Sequence, residues 1–410
     1  MRNIKKIRVN LNFSPTQKYQ VGEIINNNQS YYFKYSSSFL SKKLELSPFK
    51  LPLKRDVYDM SSFPFEGIAG VFNDSLPDGW GRLLLDRKLT TQGIDIHTIT
   101  PLERLAYVGE SGAGALTYEP EFENGNEYQS IELDKLADHA TQVLEGSSED
   151  ILDELFGMGG SSGGARPKIN VLFNPQTTQL TASVTPKAND EFWIIKFPSS
   201  YDVKDIAHIE YAYYLMATAC GIEMSTSQLF YGATGKAYFG TKRFDRLDNQ
   251  KRLHMHTASG IMHDNFRLSN MDYGHLLDCA FQLEKSIEAY ENIFRLACFN
   301  VFTHNRDDHS KNFSFLMDSN GNWKFSPAYD LTYSSSSHGF HSTTIAGESQ
   351  SPNTKHLMEL ANHFGIKNGR EIIDQVKSTV SNWKDFADNA NVTNSSKQMI
   401  SNAIEKLVSK

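Results

Sequence analysis

The stretch Asn305-Arg306-Asp307-Asp308-His309-Ser310-Lys311-Asn312, with Tyr329-Asp330-Leu331 eighteen residues beyond it, constrains this chain more than any other. An Asp and an Asn with four residues between them, and a further Asp downstream, supply what phosphoryl transfer from Mg-ATP requires. One carboxylate orients a hydroxyl, and an amide with a second carboxylate holds the metal. In that reading Asp307 is the base, and Asn312 and Asp330 are the magnesium ligands. Taken alone, the eight residues serve equally well as a polar surface loop whose Asp and Asn make turns and cap the next helix. Tyr290, Ile293, Phe294, Ala297 and Val301 recur at helical spacing just upstream, so the segment is expected at the end of a core helix.

A second unusual composition lies at 157–168, where Gly157, Gly159, Gly160, Ser161, Ser162, Gly163, Gly164, Ala165, Arg166 and Lys168 run into the apolar strand Ile169–Phe173. Glycines let backbone N–H groups turn toward an anion, so a glycine-rich loop beside a strand can cover ATP phosphates; a Gly/Ser linker is the alternative. It is not a Walker loop, because the Gly-Lys-Ser/Thr ending is absent. The next strand, Phe192–Phe197, places Lys196 inside an apolar run, where an ammonium must reach the surface or meet an anion. Between a glycine-rich loop and the Asp307–Asn312 segment, that is where a kinase keeps its phosphate-binding lysine. Ile209, Tyr213, Met216 and Cys220 then mark one helix face; Glu210 either pairs with Lys196 or favours the positive end of the helix dipole. A hairpin around Leu229–Tyr231 and Ala237–Phe244 completes this half, its last strand bordering the adenine.

The flanking regions are read more simply. Residues 4–45 alternate apolar and polar positions, the period of half-buried strands. Asp78, after Pro77, reads as a helix N-cap or turn former, and Leu83-Leu84-Leu85 as a helix packing on the β unit. The glycines between Gly109 and Gly114 read as a structural turn, since no Lys or Ser/Thr sits where a phosphate loop would place it. Residues 119–156 are acidic and look like a solvated helical connector. Residues 313–327 form a hairpin around Asn320-Gly321 that sets Asn312 at one end and Asp330 at the other; 334–353, rich in Ser and Gly, is expected to be mobile, and 355–410 helical. A formal charge of −7 argues against a chain that grips nucleic acid over its whole surface. Cys220, Cys279 and Cys298 read as reduced core residues, and no run approaches about 18 apolar residues. A cytoplasmic protein without membrane attachment is expected.

Glycine-rich loop, strand lysine and Asp-x4-Asn with a later Asp, in this order, have no economical explanation other than a kinase. A competing reading takes His304, Asp307, Asp308 and His309 as a metal-hydrolase cluster, but it leaves the loop and Lys196 without a role.

These motifs resemble the HipA family of bacterial serine/threonine kinases, the toxin halves of toxin–antitoxin pairs. Leu76-Pro77-Asp78-Gly79-Trp80-Gly81-Arg82, Tyr107–Glu110 and Gly114–Leu116 are similar to the family's N-terminal subdomain. Gly163–Lys168, Ile195-Lys196, Arg243–Asp245, Arg306–Asn312 and Tyr329-Asp330 are similar to its kinase core. The resemblance implies that ATP and Mg2+ are the cofactors. By it, Lys196 holds ATP phosphates, Asp307 is the catalytic base, Asn312 and Asp330 bind magnesium, and His309 and Lys311 lie at the nucleotide. Ser162, Gly163, Gly164, Ala165, Arg166 and Lys168 form the covering loop, with Ser161 as its phosphorylatable serine. Lys242, Arg243 and Phe244 border the adenine; Lys242 departs from the acidic residue that some members carry there. Also implied are growth arrest, a small HipB-like helix-turn-helix antitoxin that carries the contact with operator DNA, and a protein substrate such as a tRNA-charging enzyme. A catalytically inactive nucleotide-binding scaffold and a small-molecule kinase are the alternatives. The expected fold is α+β and protein-kinase-like: a β-rich N-terminal subdomain over 1–120, an N-lobe over 121–245 with the glycine-rich loop, and an all-helical C-lobe over 246–410.

Overall fold

The computed structural model describes residues 4–28, 30–122, 130–146, 151–160, 162–183, 185–336 and 339–409, the Asn249 side chain excepted. The opening strands β1 (Lys6–Ser14), β2 (Gln17–Asn27) and β3 (Ser30–Tyr35) are joined by β4 (Tyr58–Asp59) and β5 (Leu116–Glu119) into one antiparallel sheet, in the order β4-β3-β2-β1-β5. Ile7, Val9 and Leu11 point inward and are fully buried, as the alternation requires.

A second sheet forms the N-lobe. β6 (Lys168–Asn174), β7 (Gln179–Thr181), β8 (Glu191–Lys196), β9 (Ser227–Tyr231) and β10 (Ala237–Lys242) lie in the order β7-β6-β8-β10-β9, with Lys196 opposite Lys168 on one side and Phe239 on the other. Three helices share its core, Gly79–Thr91, Leu133–Glu145 and Leu152–Gly159, through Trp80, Leu84, Leu85, Leu136, Val143, Leu155 and Phe156. The expectation that the Leu83–Leu85 helix packs on the β unit is therefore corrected: its buried face belongs to the N-lobe core. The acidic 119–156 region is likewise more than a solvated connector, because its first helix buries Leu133, Leu136, Ala137, Ala140 and Val143. The glycine-rich stretch begins inside a helix, with Gly159 its last residue, and opens into a loop after Gly160.

β11 (Arg246–Leu247) and β12 (Lys251–Arg252) make a short ribbon leading to the C-lobe. There the helix Ile287–Phe302 is the central element, its Ile293, Phe294, Ala297, Phe299 and Val301 wholly buried among the helices Ile206–Ala219, Tyr273–Glu284 and Gly369–Ser381. The tail continues as helices to Val408. The all-helical description of this lobe needs one amendment: β13 (His254–Thr257), β14 (Ser314–Met317) and β15 (Trp323–Phe325) form a three-stranded antiparallel sheet, because the chain flanking the Asn305–Asn312 segment pairs back on itself. The Ser/Gly-rich 334–353 stretch is not loose where it is described: Thr343 and Ile345 are fully buried. All three cysteines are free and buried, and among the described residues no helix is long and apolar enough to cross a membrane.

Two polar clasps tie the N-terminal subdomain to the two lobes. Asp74 accepts Thr257 N–H (2.7 Å), Thr257 Oγ1 (2.7 Å) and His256 Nδ1 (2.6 Å), reaching the start of the C-lobe. Asp245 accepts Gly114 N–H (2.7 Å), while Arg246 donates to the carbonyls of Gly112 and Gly114 (both 2.7 Å). The glycine turn is thus structural, as read. Asp245 is buried; burial alone would raise its pKa, but Arg243 and Arg246 hold it well below the carboxylate range.

Candidate active site

β8 buries Trp193 and Ile195 toward the core, so Lys196, next in the alternation, lies on the opposite face with Ile194; yet its side chain is only 10% exposed. An ammonium so placed needs anions, and it has two. Its Nζ donates to Glu210 Oε2 at 2.8 Å and to Asp330 Oδ1. Of the two roles open to Glu210, pairing with Lys196 is the one the structure adopts. Glu210 lies in the second turn of the helix Ile206–Ala219, buried, and also receives Arg166 from the glycine-rich loop; Arg166 is held further by Asp202 at 2.9 Å. Burial alone would lower Lys196, but Asp330 and Glu210 raise it, so the ammonium is charged.

The segment Thr303–Asn312 leaves the helix Ile287–Phe302 through a tightly held exit. Tyr213 donates its hydroxyl to the Thr303 carbonyl (2.5 Å), and Asn305 Nδ2 donates to Asn300 Oδ1 (2.9 Å). His304 adopts a left-handed backbone (φ 59°) and stacks on Tyr333, ring centroids 4.9 Å apart. A non-glycine residue there carries strain of order 1 kcal/mol, tolerated because both flanks are pinned. The two adjacent aspartates then diverge. Asp308 is buried and accepts from Tyr273 Oη (3.2 Å), His341 Nδ1 (2.9 Å), Ser342 N (2.8 Å) and Thr343 N (3.3 Å), which is what holds the 341–345 stretch. Asp307 points the other way, with 57% of its side chain exposed and His309 Nε2 at 3.9 Å. Desolvation raises its pKa, the charges of Asp330 and Asp308 add to that, and His309 opposes them. Among the described residues no group of three or more His, Cys, Asp or Glu side chains converges, and Asp308 is spent on structure, so the metal-hydrolase cluster is not formed.

Asn312 Nδ2 donates to the Asp307 carbonyl at 2.7 Å, which leaves its Oδ1 as the atom free to ligate. Asp330 is also left-handed (φ 54°), and its neighbour Tyr329 donates to the Lys311 carbonyl (2.6 Å) beside Ser314 Oγ. Burial alone would raise Asp330, but Lys196, Lys168 and Arg166 hold it far below the usual carboxylate range. Lys168 donates to the Gly163 carbonyl at 2.5 Å, and burial lowers its pKa.

One residue of the site was read only as a cap. Asp78 stands at the N-cap of the helix Gly79–Thr91 yet makes no capping bond; its carboxylate accepts Gly164 N–H and Lys311 Nζ, the latter at 2.5 Å. Its spacing from both partners, 86 and 233 residues, left no local signal. Lys311 Nζ also sits 5.0 Å from the centre of the Phe266 ring, which meets His309 at 5.3 Å.

The structure thus brings Arg166, Lys168, Lys196, Gly163 and Gly164 together with Lys311 and Asp330, and sets Asp307, His309 and Asn312 on one continuous segment. The other sequence candidates fare differently. Lys242 pairs with Glu191 at 2.7 Å, and Arg243 with Asp245 at 2.7 Å and Asn170 at 3.2 Å; Phe244 lies against Tyr329, centroids 5.5 Å apart. Ser162 turns its hydroxyl to the Gly159 carbonyl at 2.5 Å and is buried, Ala165 is exposed, and Ser161 lies outside the described residues.

Comparison with known proteins bears on the fold and the family. A solved structure similar to the chain is the complex of HipA, HipB and operator DNA from the Shewanella oneidensis MR-1 toxin–antitoxin system: TM-score 0.69 at 16% identity, covering 98% of this chain and 96% of that one. The Helicobacter pylori proinflammatory kinase CtkA is also found, at TM-score 0.39 and 14% identity over 55% of this chain and 88% of its own. No curated protein sequence matches the chain. The profile of the HipA N-terminal domain matches residues 16–119, and that of the HipA-like C-terminal domain matches residues 160–383, more than half of the chain. The chain belongs to the HipA family.

Proposed function

We propose that the protein is a cytoplasmic HipA-like serine/threonine protein kinase toxin, transferring phosphate from Mg-ATP to a protein hydroxyl and to its own loop serine, and so arresting growth. The observation that carries the reading is Lys196, buried and charged between Glu210 and Asp330, with Asp307 standing exposed on the segment that also carries Asn312. The residues fit a magnesium nucleotide. Four cations, Arg166, Lys168, Lys196 and Lys311, gather at the glycine-rich loop, and Asp330 with Asn312 Oδ1 offers the hard oxygen ligands that magnesium takes.

When bound, Mg-ATP would supply the phosphoryl group and a cation that neutralises charge developing on the phosphate oxygens. Lys196, oriented by Glu210, would hold phosphate, and Arg166 on the same Glu210 ties the loop to that lysine. Asp307 would orient the acceptor hydroxyl and take its proton at a carboxylate oxygen. Asn312 and Asp330 would hold the metal. For self-phosphorylation, the inward-turned, buried hydroxyl of Ser162 favours Ser161 as the acceptor.

The structurally similar HipA is solved with HipB and operator DNA. By that likeness we assign this chain a HipB-like antitoxin, with operator DNA reached through it; a protein substrate such as a tRNA-charging enzyme is what the family resemblance in the sequence implies. Phosphoproteomics after induced expression, against an Asp307→Asn control, tests the reading. New phosphoserine or phosphothreonine on a cellular protein, present only with the intact chain, is expected. Phosphorylation confined to a small molecule would replace it with the small-molecule kinase.

A further inference from the structure

We propose that Asp78, supplied by the N-terminal subdomain, is a built-in competitor for the nucleotide's phosphates and has to release its partners for nucleotide to bind. This rests on the kinase reading above. The carboxylate takes a backbone N–H of the glycine-rich loop, that of Gly164, and an ammonium of the catalytic segment, that of Lys311. A glycine-loop amide and a lysine ammonium are the donors that phosphate oxygens seek, and a carboxylate uses the same ones. Two anions on one set of donors repel, so the charge of Asp78 opposes that of the phosphates.

Among the described residues the carboxylate accepts no other hydrogen bond. It stands at a helix N-cap position without capping, and its side chain is 16% exposed. Burial alone would raise its pKa, but Lys311, the Gly164 N–H and Lys168 hold it below the usual range, so it is an anion at neutral pH. The backbone seats it there. Trp80 N–H donates to the Gly164 carbonyl at 2.8 Å, and Trp80 Nε1 to the Lys168 carbonyl at 3.0 Å. Gly79 (φ +44°) lets the turn come so close that a Cβ would lie 2.3 Å from the Gly164 oxygen. The N-terminal subdomain thus delivers a negative charge into the phosphate-binding region on a turn that is itself bonded to the glycine-rich loop, and withdrawing the charge loosens that turn.

A competitor and a scaffold predict opposite outcomes. Asn has the shape of Asp and can still accept the Gly164 N–H, but it loses the ionic hold on Lys311. If Asp78 competes, Asp78→Asn raises the fraction of chains ready for phosphate and lowers the Kd of a non-hydrolysable ATP analogue with magnesium by about 3- to 10-fold. The same substitution leaves adenosine, which has no phosphate, unchanged. Asp78→Glu keeps the charge and gains no affinity. Calorimetric titration of the full chain and these variants reads all three. If the unsubstituted chain binds no analogue, the kinase reading falls and this inference with it. If it binds and Asp78→Asn binds equally or more weakly, the inference alone is overturned. Should Asp78→Asn not fold, amide hydrogen exchange on the unsubstituted chain decides. The analogue should speed exchange across residues 76–82 as the turn loses its anchor, and unchanged or slower exchange there overturns the proposal.

Discussion

His263 Nε2 accepts the backbone N–H of Gly70 at 3.0 Å, so the C-lobe holds the N-terminal subdomain through an imidazole nitrogen that must be unprotonated. His254, fully buried, reaches the same subdomain at the Leu46 carbonyl, 3.0 Å away. Burial, with His256 beside it, pushes His254 down to about 3, and burial with Lys50 and His256 pushes His263 down to about 4.

Stability should therefore fall on acidification. Both imidazoles have folded-state pKa values below the unfolded value of about 6.5, so the unfolded chain binds more protons between those limits. Their contribution is complete above about pH 6.5 and is lost as pH falls toward 4 and 3, by at most about 1.4 kcal/mol per pH unit for each group. Urea unfolding from pH 7.5 to 4.5 should show the loss, and His254→Gln should flatten it. A His254→Gln chain with the same pH slope as the unsubstituted one contradicts this.

Asp307 and Asp308 are neighbours with opposite consequences. Asp308→Ala strands the buried His341, Tyr273 and two backbone donors, and should cost about 3 kcal/mol of stability. Asp307→Asn, at a half-exposed position, should leave the unfolding midpoint within about 0.5 kcal/mol of the parent while abolishing phosphate transfer. Equal destabilisation by the two would refute the division of labour.

Glu210→Gln removes the anion shared by Lys196 and Arg166. Breaking a buried pair by deleting one partner costs about 3–5 kcal/mol, part of which Asp330 and Asp202 offset here by remaining. Misplacing Lys196 should lower phosphate transfer about 100-fold. Transfer at the parental rate would show that Glu210 does not position the lysine.

Mass spectrometry after incubation with ATP should place the loop phosphate on Ser161 and leave Ser162, whose hydroxyl is turned to Gly159, unmodified. Such a phosphate adds about −1.5 to −2 charge beside the phosphate donors, so Ser161→Asp should bind nucleotide poorly. Phosphate on Ser162 alone would mean that its hydroxyl leaves Gly159.

The parts of the site that could be read from sequence are those where local chemistry is costly without a partner. Lys196 interrupts an apolar strand, and a buried ammonium demands an anion; pairing with Glu210, fourteen residues on, was one of two readings for the same reason. Asp78 was legible only as a cap, since Pro77-Asp78-Gly79 satisfies a local rule and nothing nearby announces partners at Gly164 and Lys311. The 334–353 stretch was misjudged by composition: Ser342 and Thr343 are ordered by donating to Asp308, a contact across some thirty residues. The helix Gly79–Thr91 carries an apolar face that fits either neighbouring core, and only tertiary packing assigns it to the N-lobe. The β13–β14 pairing joins strands separated by the whole catalytic segment, beyond any periodicity argument.

The central claim is tested most directly by incubating the purified chain with γ-labelled ATP and magnesium, alone and with cell extract. The account predicts label on protein, in the chain itself and in a substrate, and its loss in Asp307→Asn and Asp330→Asn. A chain that binds ATP yet labels no protein, or an Asp307→Asn variant that labels as well as the parent, would contradict it.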